Sequence, residues 1–250
     1  MKRAILQTCL IILTASIFIS AQTEAQKAEL LNNRGVVEIN AGKYAAGIES
    51  LNRAIFLYPN YPKAFYNRGT AYFHLKQFEK AAESFQKAVE IFPDYTEAYN
   101  QLGAVYIETA QYPQAIAALT QAIRLNSSDA TAFYNLGCVY IRQKNFKKAI
   151  EMLEQAARLD QNNSEIRLNL GYAYARRKEY FKAIDEIRRV TESAPNDTDA
   201  QILLGSLYIL TKNKQAALAQ YEKIKLLDSN SAQKFYQAIY NDKLIVVAYK

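Results

Sequence analysis

Apolar residues recur along most of the chain at the spacing of a helix, and the whole pattern repeats every 34 residues. The repeats begin at residues 28, 62, 96, 130, 164 and 198. Within each repeat, positions 4, 7, 8 and 11 form the core-facing stripe of one helix, and positions 20, 24 and 27 form that of a second. Each repeat therefore predicts two helices joined by a turn.

Position 8 is glycine in every repeat, although glycine inside a helix costs about 0.5–1 kcal/mol relative to alanine. These residues are Gly35, Gly69, Gly103, Gly137, Gly171 and Gly205. Position 20 is always small, and position 24 is always large: Leu51, Phe85, Leu119, Leu153, Ile187 and Tyr221. Small residues opposite large ones let two helices nest closely. We therefore expect a neighbouring helix too close to each glycine to tolerate a β-carbon.

The third repeat shows the pattern most fully. It carries Tyr99, Leu102, Gly103 and Tyr106 at positions 4, 7, 8 and 11. These residues and their spacing resemble the tetratricopeptide repeat (TPR), and the resemblance covers residues 28–231. It implies an all-α fold, a right-handed α-α superhelix (TPR solenoid) of six helix-turn-helix repeats. The chain departs from the family pattern because it has no tryptophan.

The resemblance also sets the predicted boundaries. The repeats occupy 26–231, as 28–61, 62–95, 96–129, 130–163, 164–197 and 198–231. Residues 232–250 predict a C-terminal capping helix, with Phe235, Ile239 and Tyr240 on its apolar face, and an apolar tail. Such a cap covers the apolar face that the last repeat leaves open. The β-prone tail at 244–247 either folds back over the cap or pairs with a partner strand.

Residues 1–25 do not follow the repeat pattern. They begin with two basic residues, continue with an apolar stretch at 10–19, and reach small residues at Ala21 and Ala25. This pattern predicts a signal peptide cleaved after one of those alanines. The alternative is an uncleaved N-terminal anchor, although the stretch is short against the ~20 residues that a spanning helix needs. We expect the mature protein outside the cytoplasm, periplasmic or secreted, or anchored to the membrane.

The sequence offers few residues for catalysis. His74 is the only histidine, and Cys138 is the only cysteine after the predicted signal peptide. They lie two repeats apart, which excludes a nucleophile–base pair. No His, Cys, Asp or Glu cluster has the spacing of metal ligands, and no glycine-rich loop could cradle a phosphate. We therefore predict that the protein is not an enzyme and binds no metal or cofactor.

The formal net charge of +7 is unevenly distributed. Residues 28–129 have a balance of −1 and residues 130–250 a balance of +6. The excess gathers near the turns of the later repeats, in a basic edge formed by Arg142, Lys144, Arg176, Arg177 and Lys178. This edge is either a solvated rim or a contact with an anionic envelope surface. We expect no nucleic-acid partner, because the aromatic residues fall on core positions rather than between the basic ones.

The binding surface is predicted by excluding the core-facing positions of the first helix. If positions 4, 7, 8 and 11 face the core, positions 2, 5, 9 and 12 line another face of the first helix. The resemblance to TPR proteins implies that this face lines a concave groove. Its apolar and aromatic candidates are Tyr66, Phe73, Ile107, Tyr134, Ile141 and Tyr172. Such residues suit an extended or helical peptide with hydrophobic anchors.

Position 6, beside that face, is an amide in five repeats: Asn33, Asn67, Gln101, Asn135 and Asn169. An amide both donates and accepts hydrogen bonds, so a row of them suits the backbone of an extended peptide. The row resembles the asparagine ladder of O-linked N-acetylglucosamine transferases. The alternative is that the amides only bond neighbouring helices. The carboxylate clamp that some TPR proteins use for heat-shock chaperones is not expected, since Asn67 alone matches it.

Taken together, these features predict a non-enzymatic scaffold that binds a peptide or partner protein in the groove of a TPR superhelix, outside the cytoplasm. One alternative is a structural factor in cell-envelope assembly, of the pilus or outer-membrane type. Another is a receptor whose basic edge meets an anionic polymer or lipid.

Overall fold

The structure is a computed structural model and describes residues 23–241. Every regular element in this range is a helix. Residues 1–22 of the predicted signal peptide and the predicted tail at 244–247 lie outside the described residues, whereas residues 23–25 belong to the first helix. Within the described range, no helix combines the length and the hydrophobicity that crossing a bilayer requires.

The helices group into two compact units, one ending at Asn126 and the other beginning at Ser127. The first unit contains α1 (23–40), α2 (Tyr44–Leu57), α3 (Pro62–His74), α4 (Phe78–Ile91), α5 (Thr96–Glu108) and α6 (Tyr112–Leu125). The second contains α7 (Ala130–Arg142), α8 (Phe146–Leu159), α9 (Ser164–Arg176), α10 (Tyr180–Ser193), α11 (Thr198–Leu210), α12 (Lys214–Leu227) and α13 (Ser229–Asn241). Odd-numbered helices up to α11 are the first helices of the repeats. Inside each unit consecutive helices pack together, and first helices of neighbouring repeats also touch, α3 with α5 and α7 with α9.

Prolines and polar caps determine where several helices begin. Pro62 is the first residue of α3, a position where a backbone N–H is not needed. In the second unit, the Asp129 carboxylate accepts the backbone N–H groups of Thr131 and Ala132 at the start of α7. Asn163 caps α9 in the same way. Each such cap stabilises its helix by about 1 kcal/mol.

In the first five repeats, the recurring glycine lies against a buried side chain of the second helix, as predicted. A β-carbon on Gly69 would lie 2.7 Å from the Phe85 ring. One on Gly103 would lie 2.6 Å from Leu119. Both distances are below the 3.0 Å that real β-carbons essentially never cross. The predicted close approach of the two helices is therefore confirmed.

The glycine of the last repeat packs against a different helix. The neighbour of Gly205 is Phe235 of α13, not the position-24 residue Tyr221. Phe235 is completely buried, together with Ile202 and Ile224, in a cluster that joins α11, α12 and α13. Helix α13 therefore covers the last repeat, and the predicted capping helix is confirmed.

The turn between the two helices of a repeat has one recurring conformation. Its residue at position 15 has a positive φ in all six repeats: Gly42, Lys76, Ala110, Lys144, Lys178 and Lys212. In the second repeat, the N–H of Lys76 donates to the Phe73 carbonyl and that of Gln77 to the Tyr72 carbonyl. These two bonds form a Schellman motif, which satisfies the last carbonyls of the helix. Only the first repeat meets this left-handed requirement with glycine.

Candidate functional site

The predicted binding residues all lie on first helices and are divided between the two units. The first unit carries Asn33 on α1, Tyr66, Asn67 and Phe73 on α3, and Gln101 and Ile107 on α5. The second unit carries Tyr134, Asn135 and Ile141 on α7, and Asn169 and Tyr172 on α9. Asn33 is exposed and the other ten are half-buried. We call each set the first-helix face of its unit.

In the first unit, side-chain amides connect neighbouring first helices. The Asn67 Nδ2 group donates to Oδ1 of the buried Asn32 at 2.8 Å, and so joins α3 to α1. Asn32 Nδ2 in turn donates to Asn33 Oδ1 at 3.3 Å. Gln101 on α5 hydrogen-bonds the Tyr66 hydroxyl on α3. Burial, followed by the nearby carboxylate of Glu97, raises the pKa of Tyr66, so this hydroxyl remains protonated.

The second unit repeats this arrangement between α7 and α9. The Tyr134 hydroxyl donates to Glu165 Oε1 at 2.6 Å, and it accepts a bond from Asn169 Nδ2 at 3.3 Å. The same Asn169 group also donates to the backbone carbonyl of Glu165 at 3.0 Å. Burial, with the adjacent Cys138 and Glu165, raises the pKa of Tyr134. The Tyr134 phenol is therefore a neutral donor held in one direction.

One rule describes these contacts. The amide at position 6 bonds the side chain at position 5 of the preceding repeat, 35 residues earlier for Asn67 with Asn32 and for Asn169 with Tyr134. These amides therefore do bond neighbouring helices. An amide has two N–H donors and a carbonyl acceptor, so one bridging bond leaves it other hydrogen-bonding groups. The bridges hold the first-helix face in place.

Several predicted aromatic anchors also serve the core of the first unit. The Tyr66 ring lies 5.7 Å from that of Phe85 and 5.2 Å from that of Tyr95, measured between centroids. Phe73 meets Phe78 edge to face at 5.6 Å. Each ring therefore has one side in the core and one side at the surface. Rings fixed in this way offer contact area at low entropic cost.

In the second unit, the first-helix face meets the predicted basic edge. The Arg176 guanidinium lies 4.8 Å from the Phe146 ring centroid and 5.6 Å from that of Tyr172. It also donates to the Tyr172 hydroxyl at 2.7 Å. Arg177, by contrast, pairs with Glu179 at 3.3 Å. The five basic residues therefore do not act as one uniform rim.

The remaining basic residues are exposed and lie at or near the turn. Arg142 ends α7, and Lys144 and Lys178 occupy the left-handed turn position. The positive charge of Arg142 lowers the pKa of the Cys138 thiol on α7 and so opposes the effect of burial. The basic edge thus includes two arginines, Arg142 and Arg176, at the ends of first helices, and two lysines on the turns.

A cavity lies between α8, α9 and α10, away from the predicted face. It has a volume of about 510 Å³ and forms beside Arg167, which replaces the usual aromatic residue at position 4. Arg167 pairs with Glu186 at 2.7 Å and donates to the Gln161 carbonyl. Tyr174 in the same wall donates to Glu154. The charges of this wall largely compensate one another.

The residues considered for chemistry are His74, Cys138 and the acidic side chains. No group of three or more His, Cys, Asp or Glu side chains within residues 23–241 could hold a metal ion. The His74 ring stacks on Tyr44 at 4.9 Å. Burial is the main cause that raises the pKa of Cys138 to about 11, so its thiol stays protonated and weakly nucleophilic near neutral pH.

Family comparison places the repeats in a known group. The family model for the C-terminal domain of cilia and flagella-associated protein 70 matches residues 10–238. The chain belongs to this TPR family. No curated protein shows significant similarity to the sequence.

Solved TPR structures share the fold. The structure of pilF from Pseudomonas aeruginosa has a TM-score of 0.75 at 19% identity, over 88% of this chain and 100% of that one. MamA from Desulfovibrio magneticus RS-1 has a TM-score of 0.61 at 26% identity, over 66% and 94%. YrrB, described as a TPR protein with an unusual peptide-binding site, has a TM-score of 0.64 at 24% identity, over 78% and 98%. The predicted all-α TPR solenoid is therefore confirmed, a fold typical of non-catalytic scaffolds for protein interactions.

Proposed function

We propose that this protein binds a peptide, or an exposed segment of a partner protein, on the first-helix faces of its repeats, outside the cytoplasm. One observation carries the proposal. Each unit has a row of half-buried apolar and aromatic side chains on its first helices, and amide bridges hold those helices together. A surface ordered before binding loses little entropy when it binds.

The composition of the faces defines the expected mode of recognition. Half-buried rings such as Phe73 and Tyr134, with Ile107 and Ile141 beside them, suit apolar anchors of a partner. Asn67 keeps one N–H group and its carbonyl oxygen, and Asn169 keeps its carbonyl oxygen, for the backbone of an extended chain. YrrB provides a peptide-binding example on a similar fold, while the case for this chain rests on its own residues.

Location outside the cytoplasm rests on the pattern of residues 1–25. Mass spectrometry of the protein purified from its source would identify the mature N-terminus. We expect it at Gln22 or Gln26, in the periplasmic or secreted fraction. An intact N-terminus in the membrane fraction would instead support the anchored form. An intact chain in the cytosol would contradict export.

The binding face is testable with short random peptides selected by display on the purified protein. Ile141→Glu places a charge on the first-helix face of the second unit, and we expect it to abolish binding of the selected peptides. Phe181→Glu on α10 is the matched control, because Phe181 is 76% exposed and lies on a second helix. Loss of binding in the control alone, or failure to select any peptide, would contradict the proposal.

Contact with an anionic surface through the basic edge is a second candidate, favoured by the exposed Lys144 and Lys178 on their turns. Vesicles of anionic phospholipid provide the probe. Binding through such an edge should fall steeply between low and physiological salt, whereas binding to an apolar groove should change little. Unchanged vesicle binding after charge reversal of both lysines would exclude this candidate.

A further inference from the structure

Arg176 differs from the other basic residues at the end of its helix. Its guanidinium lies over the rings of Phe146 and Tyr172, at 4.8 and 5.6 Å from their centroids, and one of its N–H groups bonds the Tyr172 hydroxyl. The side chain is nevertheless exposed. The rings therefore hold a charged group in one place without covering it.

The charge of Arg176 is not neutralised by a neighbouring acid. Arg177 is paired with Glu179, but no carboxylate among residues 23–241 pairs with Arg176. Glu165, on the same helix, is eleven residues away, or about 16 Å along the helix axis. It is also engaged by Tyr134. The end of α9 that carries Arg176 thus keeps an uncompensated cation.

A second arginine occupies the same register. Arg142 is at position 13 of the fourth repeat and Arg176 at position 13 of the fifth, and their helices α7 and α9 pack side by side. The charge of Arg142 lowers the pKa of Cys138, which is at position 9, one of the predicted groove-lining positions. Arg142 follows Ile141 in the chain, and Arg176 bonds Tyr172, so each arginine is next to one apolar side chain of that face.

This combination has a defined chemical preference. A guanidinium has five N–H donors in a flat fork, and its geometry matches a carboxylate in two parallel hydrogen bonds. One donor of Arg176 is used by Tyr172, and stacking on the rings orders the rest. A side chain ordered in advance loses less entropy when an anion arrives.

We propose that the C-terminal ends of α7 and α9 form a carboxylate-binding site for an aspartate or glutamate side chain of the partner, with Arg176 as the main anchor and Arg142 in support. An apolar residue next to that acid packs on Ile141 and Tyr172. The inference rests on the proposed function, since it names the chemistry of the peptide bound on the first-helix face of the second unit. A flat anionic surface fits less well, because the Tyr172 hydroxyl and the two rings hold the Arg176 guanidinium against that face.

The test compares two adjacent arginines in the peptide selection. Selected peptides should contain an excess of Asp or Glu next to an apolar residue. Arg176→Ala should weaken their binding by about tenfold or more, the loss expected for a charge-assisted hydrogen bond. Arg177→Ala is the matched control, with the same change in net charge, and should have an effect of about twofold or less. Arg176→Lys should fall between them, because lysine keeps the charge and loses the fork.

The outcomes separate this site from the proposed function. Peptides without an excess of acids, or binding indifferent to Arg176→Ala yet lost in Ile141→Glu, would overturn the carboxylate site and leave groove binding intact. Equal losses from both arginine variants would indicate a general effect of net charge, as for an anionic surface, and would also overturn it. Failure to select any peptide would overturn both. Circular dichroism of each variant should match the original protein, and a variant that unfolds would be replaced by Phe146→Leu, which removes one stacking ring and should weaken binding of the same peptides.

Discussion

Replacing Gly103 by alanine has two opposite effects on the free energy of unfolding. Alanine has the higher helix propensity and should stabilise α5 by about 1 kcal/mol. The new β-carbon, however, would lie 2.6 Å from both Cγ and Cδ2 of Leu119. Leu119 is completely buried and cannot turn away. Overpacking of this kind costs about 1–3 kcal/mol, so we expect no net gain and a net loss of up to about 2 kcal/mol.

Urea unfolding followed by circular dichroism measures this change, with Thr120→Ala as the control. Thr120 is exposed on α6, so its replacement tests helix propensity without close packing. The double variant with Leu119→Ala should lose less than the two single variants together, because the added methyl group enters the space that Leu119 leaves. Stabilisation of Gly103→Ala by the full propensity gain would show that α5 and α6 are not so close.

Three further changes test other parts of the account. Ala110→Gly should raise the free energy of unfolding by about 1 kcal/mol, because Ala110 has φ +55° in a Schellman turn where glycine has no β-carbon penalty. Urea unfolding that shows no gain in stability would contradict this prediction. Phe235→Ala should lower the free energy of unfolding by about 3–5 kcal/mol and increase hydrogen exchange in α11 and α12. A loss of stability below about 1 kcal/mol would mean that α13 is not a cap. The Cys138 thiol should react with disulfide reagents roughly a hundredfold more slowly at pH 8 than an ordinary thiol, since its pKa rises from 9.0 to about 11, and a fast reaction at pH 8 would contradict the burial. Because the raised pKa belongs to the folded state, the free energy of unfolding should fall as the pH rises from about 9 to 11.

The sequence predicted the features that depend on local spacing. The 34-residue period placed the glycines, and the close approach at Gly69 and Gly103 follows from side-chain size alone. The apolar stripe of α13 likewise predicted a cap. In contrast, the neighbour of Gly205 is Phe235 of α13 rather than a residue of the same repeat. Spacing alone does not tell which helix supplies a contact.

Other features depend on geometry that the pattern does not encode. Lysine at the left-handed positions 144 and 178 resembles any exposed turn residue, so the Schellman turns were not predicted. The bridge from Asn169 to Tyr134 joins residues 35 apart, one more than the period, and could have been found by comparing hydrogen-bonding residues at positions 5 and 6. The stacking of Arg176 on Phe146 joins two different helices, and the spacing of residues along the chain does not predict it.

Hydrogen–deuterium exchange with a selected peptide tests the central claim most directly. The account predicts that peptide binding slows exchange in the first helices α7 and α9 and leaves the second helices α8 and α10 unchanged. Protection confined to α8 and α10 would contradict the claim that this protein binds its partner on the first-helix face.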